Sequence, residues 1–181
     1  EGGQNQPQRS RWGEVADCCS YLDTEFTDFM EEPTFITGYG KLANYHVIFK
    51  EKEAYVGRFV GGDEVFSWER STSCSGCKSA TSIVRRTDYL YYYGDKNKFY
   101  RWNLLREDVL SENIFPETKN FDPNKDNFIY GGDVKGKNQV RWFCPYTLTD
   151  YNNYTVVYDY QQEITQVWEY EAAQACNCIG E

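Results

Sequence analysis

Through most of this chain, large apolar side chains recur at every second position in short segments, and each segment closes on a cluster of turn formers. That period sends successive side chains to opposite faces of an extended strand, whereas a helix needs repeats of three or four. Tyr45, Val47 and Phe49 alternate in this way, Lys50-Glu51-Lys52-Glu53 turns the chain, and Tyr55, Gly57 and Phe59 alternate up to Gly61-Gly62-Asp63. Such a pattern predicts a hairpin followed by a second turn. Phe66 and Trp68 share one face of the next strand, residues 79–86 and 88–93 read as further strands, and 98–103 returns after the turn Gly94-Asp95-Lys96-Asn97. Residues 104–125, with mixed charge, Pro116 and Pro123, predict a long connection holding a helical turn at 104–110. Strands resume at 127–130 and 139–144 around a glycine-rich turn at 131–137. The last pair sets Tyr154, Val156, Tyr158 and Tyr160 against Ile164, Gln166, Trp168 and Tyr170.

The N-terminal region departs from this rhythm. Residues 1–13 read as a polar arm, after which Val15, Cys18, Cys19, Leu22, Phe26 and Phe29 recur at the three- and four-residue spacing of a helix face, stopped by Pro33. A short helix is also expected at 172–176. Eight to ten strands in sequence order, joined mostly by tight turns, predict an all-β fold over residues 14–181 as a single domain. The expected architecture is an up-and-down antiparallel β-barrel of about eight strands with a short N-terminal helix. Closure is favoured over a sandwich because it removes exposed strand edges. No period marks an internal repeat; Arg101-Trp102 and Arg141-Trp142 recur only as a pair of dipeptides.

Nineteen basic residues against 28 acidic ones give a net charge of −9, which argues against nucleic acid or an anionic membrane as partner. No run approaches the roughly 18 apolar residues of a membrane span. The cysteines, at Cys18, Cys19, Cys74, Cys77, Cys144, Cys176 and Cys178, are clustered and numerous for 181 residues and point to an oxidising compartment. Secretion is expected, and with it N-glycosylation at Asn153 in Asn153-Tyr154-Thr155. The rival reading of Cys74-Ser75-Gly76-Cys77 is a redox pair or half of a zinc site, with Cys176, Cys178 and His46 as further ligands. Only one such x-x pair exists, so disulfides are preferred, three in number, and the odd cysteine is left free or joins a homo- or hetero-oligomer.

His46 is the sole histidine, which weakens any mechanism built on imidazole. The segment Asp122-Pro123-Asn124-Lys125-Asp126 spaces oxygen ligands like a calcium loop, but Asn127 stands where the sharp turn requires glycine. Neither catalytic residues nor a metal nor a required cofactor is expected.

Thr149-Asp150-Tyr151-Asn152-Asn153-Tyr154 resembles the second conserved motif of the lipocalins, Thr-Asp-Tyr-x-x-Tyr, as invertebrate members of that family carry it. Gly38-Tyr39-Gly40 stands where the first motif would place Gly-x-Trp but lacks the tryptophan, and no Lys or Arg follows Arg141 to supply the third-motif arginine. The resemblance implies an eight-stranded barrel whose chain ends are tied down by disulfides, Cys18 or Cys19 to Cys144, and Cys74 or Cys77 to Cys176 or Cys178. A barrel of that size holds one small ligand among apolar and aromatic side chains. Tyr45, Phe49, Tyr55, Phe66, Trp68, Tyr89, Tyr91, Trp142, Tyr158 and Trp168 are the expected lining. The function expected is that of a secreted carrier of a small hydrophobic ligand, a carotenoid, bilin, retinoid, sterol or fatty acid. Its rival is an extracellular acidic structural or storage glycoprotein that self-assembles without a functional ligand.

Overall fold

A computed structural model describes residues 6–13, 25–31, 33–62, 65–146 and 152–169. The chain forms two compact units, Glu1–Ile36 and Thr37–Glu181. In the first, β1 (Arg9–Arg11) pairs antiparallel with β2 (Phe26–Asp28), so that Arg9 faces Asp28. The Arg9 guanidinium donates to both Asp28 carboxylate oxygens, at 2.6 and 2.7 Å, and lies 3.6 Å over the Phe26 ring. Phe26 therefore belongs to a strand and not to the end of a helix. The ion pair and the β-branched Thr27 hold this segment extended against 9–11. Val15, Cys18, Cys19 and Leu22 lie outside the described residues, as do Asp63, Tyr170 and the short helix expected at 172–176.

The second unit is built from three four-stranded antiparallel sheets, each in sequence order. Sheet I contains β3 (Ile36–Leu42), β4 (Tyr45–Lys50), β5 (Ala54–Phe59) and β6 (Phe66–Ser71). Sheet II contains β7 (Val84–Arg86), β8 (Tyr89–Tyr93), β9 (Phe99–Trp102) and β10 (Glu107–Val109). Sheet III contains β11 (Tyr130–Val134), β12 (Gln139–Pro145), β13 (Asn152–Asp159) and β14 (Ile164–Glu169). The antiparallel all-β expectation holds, but the expected eight-stranded closure is not formed among the described strands. Hydrogen bonding stops at β6 and at β10, and the chain crosses to the next sheet through connections that carry short 3-10 turns at Ala80–Ser82 and Pro123–Phe128.

The physical reason lies in the run Tyr89-Leu90-Tyr91-Tyr92-Tyr93. A strand with one wet face alternates apolar and polar residues, whereas this one is apolar throughout, the mark of a strand covered on both sides. Leu90 and Tyr92 enter a core with Leu42, Val47, Phe49 and Ala54 of sheet I. Tyr91 and Tyr93 enter a second core with Val140, Trp142, Cys144, Val156 and Tyr158 of sheet III. Strand β9 divides likewise, Tyr100 and Trp102 towards sheet I and Phe99 towards sheet III. Sheet II is thus the middle layer of three.

Two local expectations shift. Residues 107–109 form strand β10, and the helical turn comes later, as a 3-10 turn at Glu112–Ile114 running into α1 (Phe115–Thr118). Gly131 and Gly132 lie inside β11 rather than in a turn. A Cβ on Gly131 would stand 2.6 Å from the Ser82 carbonyl oxygen, so glycine permits this strand to press against the connection into sheet II.

The disulfide expectation is also corrected for the described cysteines: Cys74, Cys77 and Cys144 are free thiols. Cys77 sits in the core between sheets I and II, Cys144 in the core between II and III, and both behave as small apolar side chains. The Cys77 thiol donates to the Ser79 carbonyl at 3.2 Å, and Cys74 Sγ lies 3.2 Å from the Tyr92 hydroxyl. Cys18, Cys19, Cys176 and Cys178 lie outside the described residues.

At the end of β4, Lys50 is 0% and Glu53 2% exposed, with Lys50 Nζ 3.2 Å from Glu53 Oε1. The Tyr55 hydroxyl donates to the same oxygen at 3.0 Å, and Arg70 Nε lies 2.8 Å from Oε2. A buried carboxylate survives only with such partners. Lys50→Met is expected to destabilise the protein by about 3 kcal/mol in urea unfolding, because it strips a cation from a desolvated carboxylate.

Burial raises all three thiols, Cys74 and Cys77 to about 12 and Cys144 well above its ordinary value. Since the thiolate is the reactive form, these cysteines are expected to resist iodoacetamide at mildly alkaline pH in the folded protein and to react in denaturant, as intact mass would show.

Candidate functional site

An open groove of about 560 Å3 lies where sheets I and II meet. One wall is the inner face of sheet I, with Tyr45, Val56 and Glu69; the other is the β9–β10 turn, Asn103, Leu104 and Leu105. Register explains the first wall. Tyr45 lies opposite Arg58, Val47 opposite Val56, and Val56 opposite Glu69, so these side chains continue the face that begins in the core with Phe49 and Ala54. As the sheet runs past the edge of sheet II, that face emerges from the core and becomes the groove.

The opposing turn is held under strain. The Asn103 side-chain oxygen accepts from the backbone N–H of Leu105 at 3.2 Å and of Arg106 at 2.8 Å, while the Asn103 N–H donates to the Arg106 carbonyl. Together these bonds force Leu104 to φ +73°, a left-handed conformation that costs an ordinary L-residue roughly 1–2 kcal/mol. The Leu104 side chain packs back against the core between sheets I and II, and Leu105 is driven into solvent, 84% exposed.

The floor is built with matched donors and acceptors. Ser73 Oγ donates to the Leu104 carbonyl and accepts from Trp102 Nε1 at 3.0 Å. Glu107, on β10, accepts from the Ser75 N–H at 2.9 Å and from the hydroxyls of Ser75 and Tyr92. The Tyr92 hydroxyl is pushed up by burial first and then by the nearby Cys74 and Glu107, so it remains a donor. These bonds fix the 72–78 loop, including the Cys74–Cys77 segment, as a rigid base.

The ten residues expected to line a common cavity are dispersed. Phe49 lies in the core between sheets I and II; Tyr91, Trp142 and Tyr158 lie in that between II and III. Tyr55 bonds Glu53. Phe66 and Trp68 belong to the outer face of sheet I, where the Trp68 indole lies over Gly57, close enough that a Cβ there would meet the ring at 2.5 Å. Trp168 lies on the outer face of sheet III under the Arg141 guanidinium, 4.9 Å away, and Tyr89 borders a separate pocket on sheet II. Of the set, only Tyr45 reaches the groove. Asn103, Leu104, Leu105 and Ser73 escape a periodicity reading because their role depends on a left-handed turn. The adjacent leucines of Asn103-Leu104-Leu105-Arg106, in an otherwise polar turn, are the one signal they leave.

His46 Nδ1 lies 2.7 Å from the Tyr39 hydroxyl on the outer face of sheet I, and burial together with Lys41 lowers its pKa. Its ring packs edge-on to Phe66, with the centroids 5.2 Å apart. Among the described residues no group of three or more His, Cys, Asp or Glu could hold a metal ion. Asp122 instead caps the 3-10 turn that follows it, accepting from the Asn124 N–H at 3.0 Å.

Thr149, Asp150 and Tyr151 lie outside the described residues, but the rest of the motif is placed. Cys144 pairs with Tyr154 and Pro145 with Asn152, so Asn153 bulges out of β13 where Pro145 offers no N–H. The Asn153 side-chain oxygen accepts from the Tyr146 N–H at 2.9 Å, and the rings of Tyr146 and Tyr154 stack at 4.6 Å. Thr155 is only 2% exposed.

Asn103→Ala is expected to cost about 1–2 kcal/mol, because both side-chain bonds that hold the Leu104 turn are lost, and chemical unfolding would measure it. Compared with known proteins, the chain matches no family model and no curated protein.

Proposed function

We propose that this protein is a secreted, non-catalytic binding protein that carries a small, mainly apolar molecule in the groove between Tyr45 and the Leu104–Leu105 turn. The ligand classes remain those implied by the lipocalin resemblance, with carotenoids, retinoids, sterols and fatty acids foremost. The site moves from the interior of a barrel to an open groove, because Phe49, Tyr91, Trp142 and Tyr158 fill two cores and Phe66, Trp68 and Trp168 lie on outer faces.

The observation that carries this reading is the strained turn. Backbone strain persists where the surrounding bonds over-determine it, and such sites cluster at ligand clamps. Here the strain presents a bare leucine at the rim of a groove whose volume lies in the usual range of about 300–1,000 Å3 for small-molecule sites. Polar groups at Glu69, Arg70 and Asn103 would orient one polar end of an otherwise apolar ligand.

A second reading, self-assembly as an acidic structural glycoprotein, rests on the outer face of sheet III. There Tyr130, Phe143, Thr155 and Trp168 form one row across all four strands. Native mass at increasing concentration distinguishes the two, since assembly raises it and ligand carriage does not.

Titration of retinol, a sterol, a fatty acid and a carotenoid against tryptophan fluorescence tests the first reading. At least one is expected to saturate, and Leu105→Asp is expected to weaken it about tenfold or more with unchanged thermal stability. Absence of saturation by all four, or equal affinity in Leu105→Asp, rejects the groove as the site.

A further inference from the structure

Where β12 ends beside the start of β13, two tyrosine rings lie face to face. Tyr154 stands opposite Cys144, and Tyr146 follows Cys144 by two positions, so both side chains take the face of sheet III that packs on the core with sheet II. The bulge at Asn153 fixes their approach. Its side-chain oxygen holds the Tyr146 N–H at 2.9 Å, and the two ring centroids lie 4.6 Å apart with 19° between the planes.

Three other tyrosine pairs among the described residues differ from this one. Tyr89 with Tyr91 and Tyr91 with Tyr158 are tilted by 51° and 40°, with centroids 6.0 and 5.9 Å apart. Tyr92 and Tyr100 are stacked at 23° but stand 5.8 Å apart, and they are 0% and 5% exposed. Tyr146 and Tyr154 are close and near-parallel at once, and they sit half-buried at the rim of the core.

That arrangement suits one reaction. When a phenol loses an electron and its proton, the unpaired electron spreads to the ring carbons ortho to oxygen, in p orbitals that stand perpendicular to the ring. Two such rings join through a carbon–carbon bond when their faces meet, as in this pair and not in the tilted ones. Holding both partners in place also turns a bimolecular coupling into an intramolecular one, which favours this pair over contacts between molecules. Burial and then the charge of Glu169, the residue opposite on β14, raise the pKa of the Tyr154 hydroxyl. The hydroxyl thus stays protonated at neutral pH, and a carboxylate stands near to take its proton as the electron leaves.

We propose that Tyr146 and Tyr154 form an oxidative cross-linking site, joined as dityrosine by a haem peroxidase and hydrogen peroxide. One peroxide takes an electron and a proton from each phenol and becomes two waters. A bond forms between the two ortho carbons, and the hydrogen on each passes to the oxygen of its own ring, which restores two phenols. The bridge ties the end of β12 to the start of β13 beside Pro145, which has no N–H to give to the ladder.

Treating the full chain with a haem peroxidase and limiting hydrogen peroxide at low protein concentration tests this. The monomer is then digested with a protease that cuts before aspartate. Cleavage before Asp150 leaves Tyr146 and Tyr154 on separate peptides, so a bridge appears as the two peptides joined and two hydrogens lighter. This species is expected to be the main tyrosine cross-link of the monomer and to carry the blue fluorescence of dityrosine. Tyr146→Phe and Tyr154→Phe, which keep the ring, are each expected to abolish it, and Tyr89→Phe is expected to leave it unchanged. A monomer without this link, a main link at another pair such as Tyr92 and Tyr100, or undiminished dityrosine fluorescence in the Tyr146→Phe monomer overturns the proposal. The peptide map of the unaltered chain decides the case even where a variant fails to fold. No apolar ligand enters the assay, so its outcome is separate from that of the groove.

Discussion

The burial of sheet II on both faces governs this structure. A middle layer must be apolar throughout, and β8 meets that demand with four tyrosines and one leucine, Tyr89 to Tyr93. Tyrosine brings a hydroxyl with it, and a phenol in a core must lead its oxygen to a polar partner. Tyr92 reaches Glu107; Tyr93 reaches Asn97 at 2.9 Å and Asp126 at 3.0 Å; on β9, Tyr100 reaches the Asp95 carbonyl at 3.0 Å. Each ring thus spans a core, and each hydroxyl pins the chain at its rim, Tyr92 at strand β10 and the other two at connections. The tyrosine richness of the chain follows from a three-layer stack whose loops are fastened from inside.

Strands were largely legible in the sequence. The alternation at Tyr45 to Phe49 and at Tyr154 to Tyr158 sits in β4 and β13, and of the turn residues at 50–53 and 94–97 all but Lys50, the last of β4, fall between paired strands. What alternation leaves open is the partner of each face. A strand with period two packs equally well into a barrel wall or a stacked layer, and the unbroken run at β8 was the clue to the second. Phe26 and Phe29 fit helical spacing, yet three residues that pair with Arg9 to Arg11 around an ion pair form a strand, because tertiary contacts outweigh local preference. Cysteine spacing gave no view of burial: Cys77 and Cys144 belong to different cores. The groove was least visible, since Leu104 is defined by a backbone angle set by the Asn103 side chain.

Four of the left-handed residues share a logic. Ala43, Thr87, Leu104 and Glu163 occupy left-handed conformations in turns that border open concavities. A well-packed stack tolerates a few such costs because no single turn can relax without disturbing the strands it joins. The frame supplies rigidity, and the turns carry chemistry that varies from one junction to the next: leucines between sheets I and II, arginines and tyrosines between II and III.

Discrete sheets differ from a closed barrel in one further respect, for every sheet ends in strands with a row of unpaired backbone groups. On one side, β7 and β11 shelter against the crossing connections, where Gly131 admits close contact. On the other side stand β6, β10 and β14, the outer strands among the described residues, with the Thr165 carbonyl of β14 already accepting from the Asn113 side chain at 2.9 Å. Glu69 and Arg70 occupy the first, Glu107 and Asp108 the second, Glu169 the third. An approaching strand therefore meets charged side chains of both signs at β6 and at β10, where Arg101 and Arg106 pair with Asp108. Charge placed on the outer strands, rather than the excess acidity of the chain, thus discourages an open-edged stack from growing into a fibre.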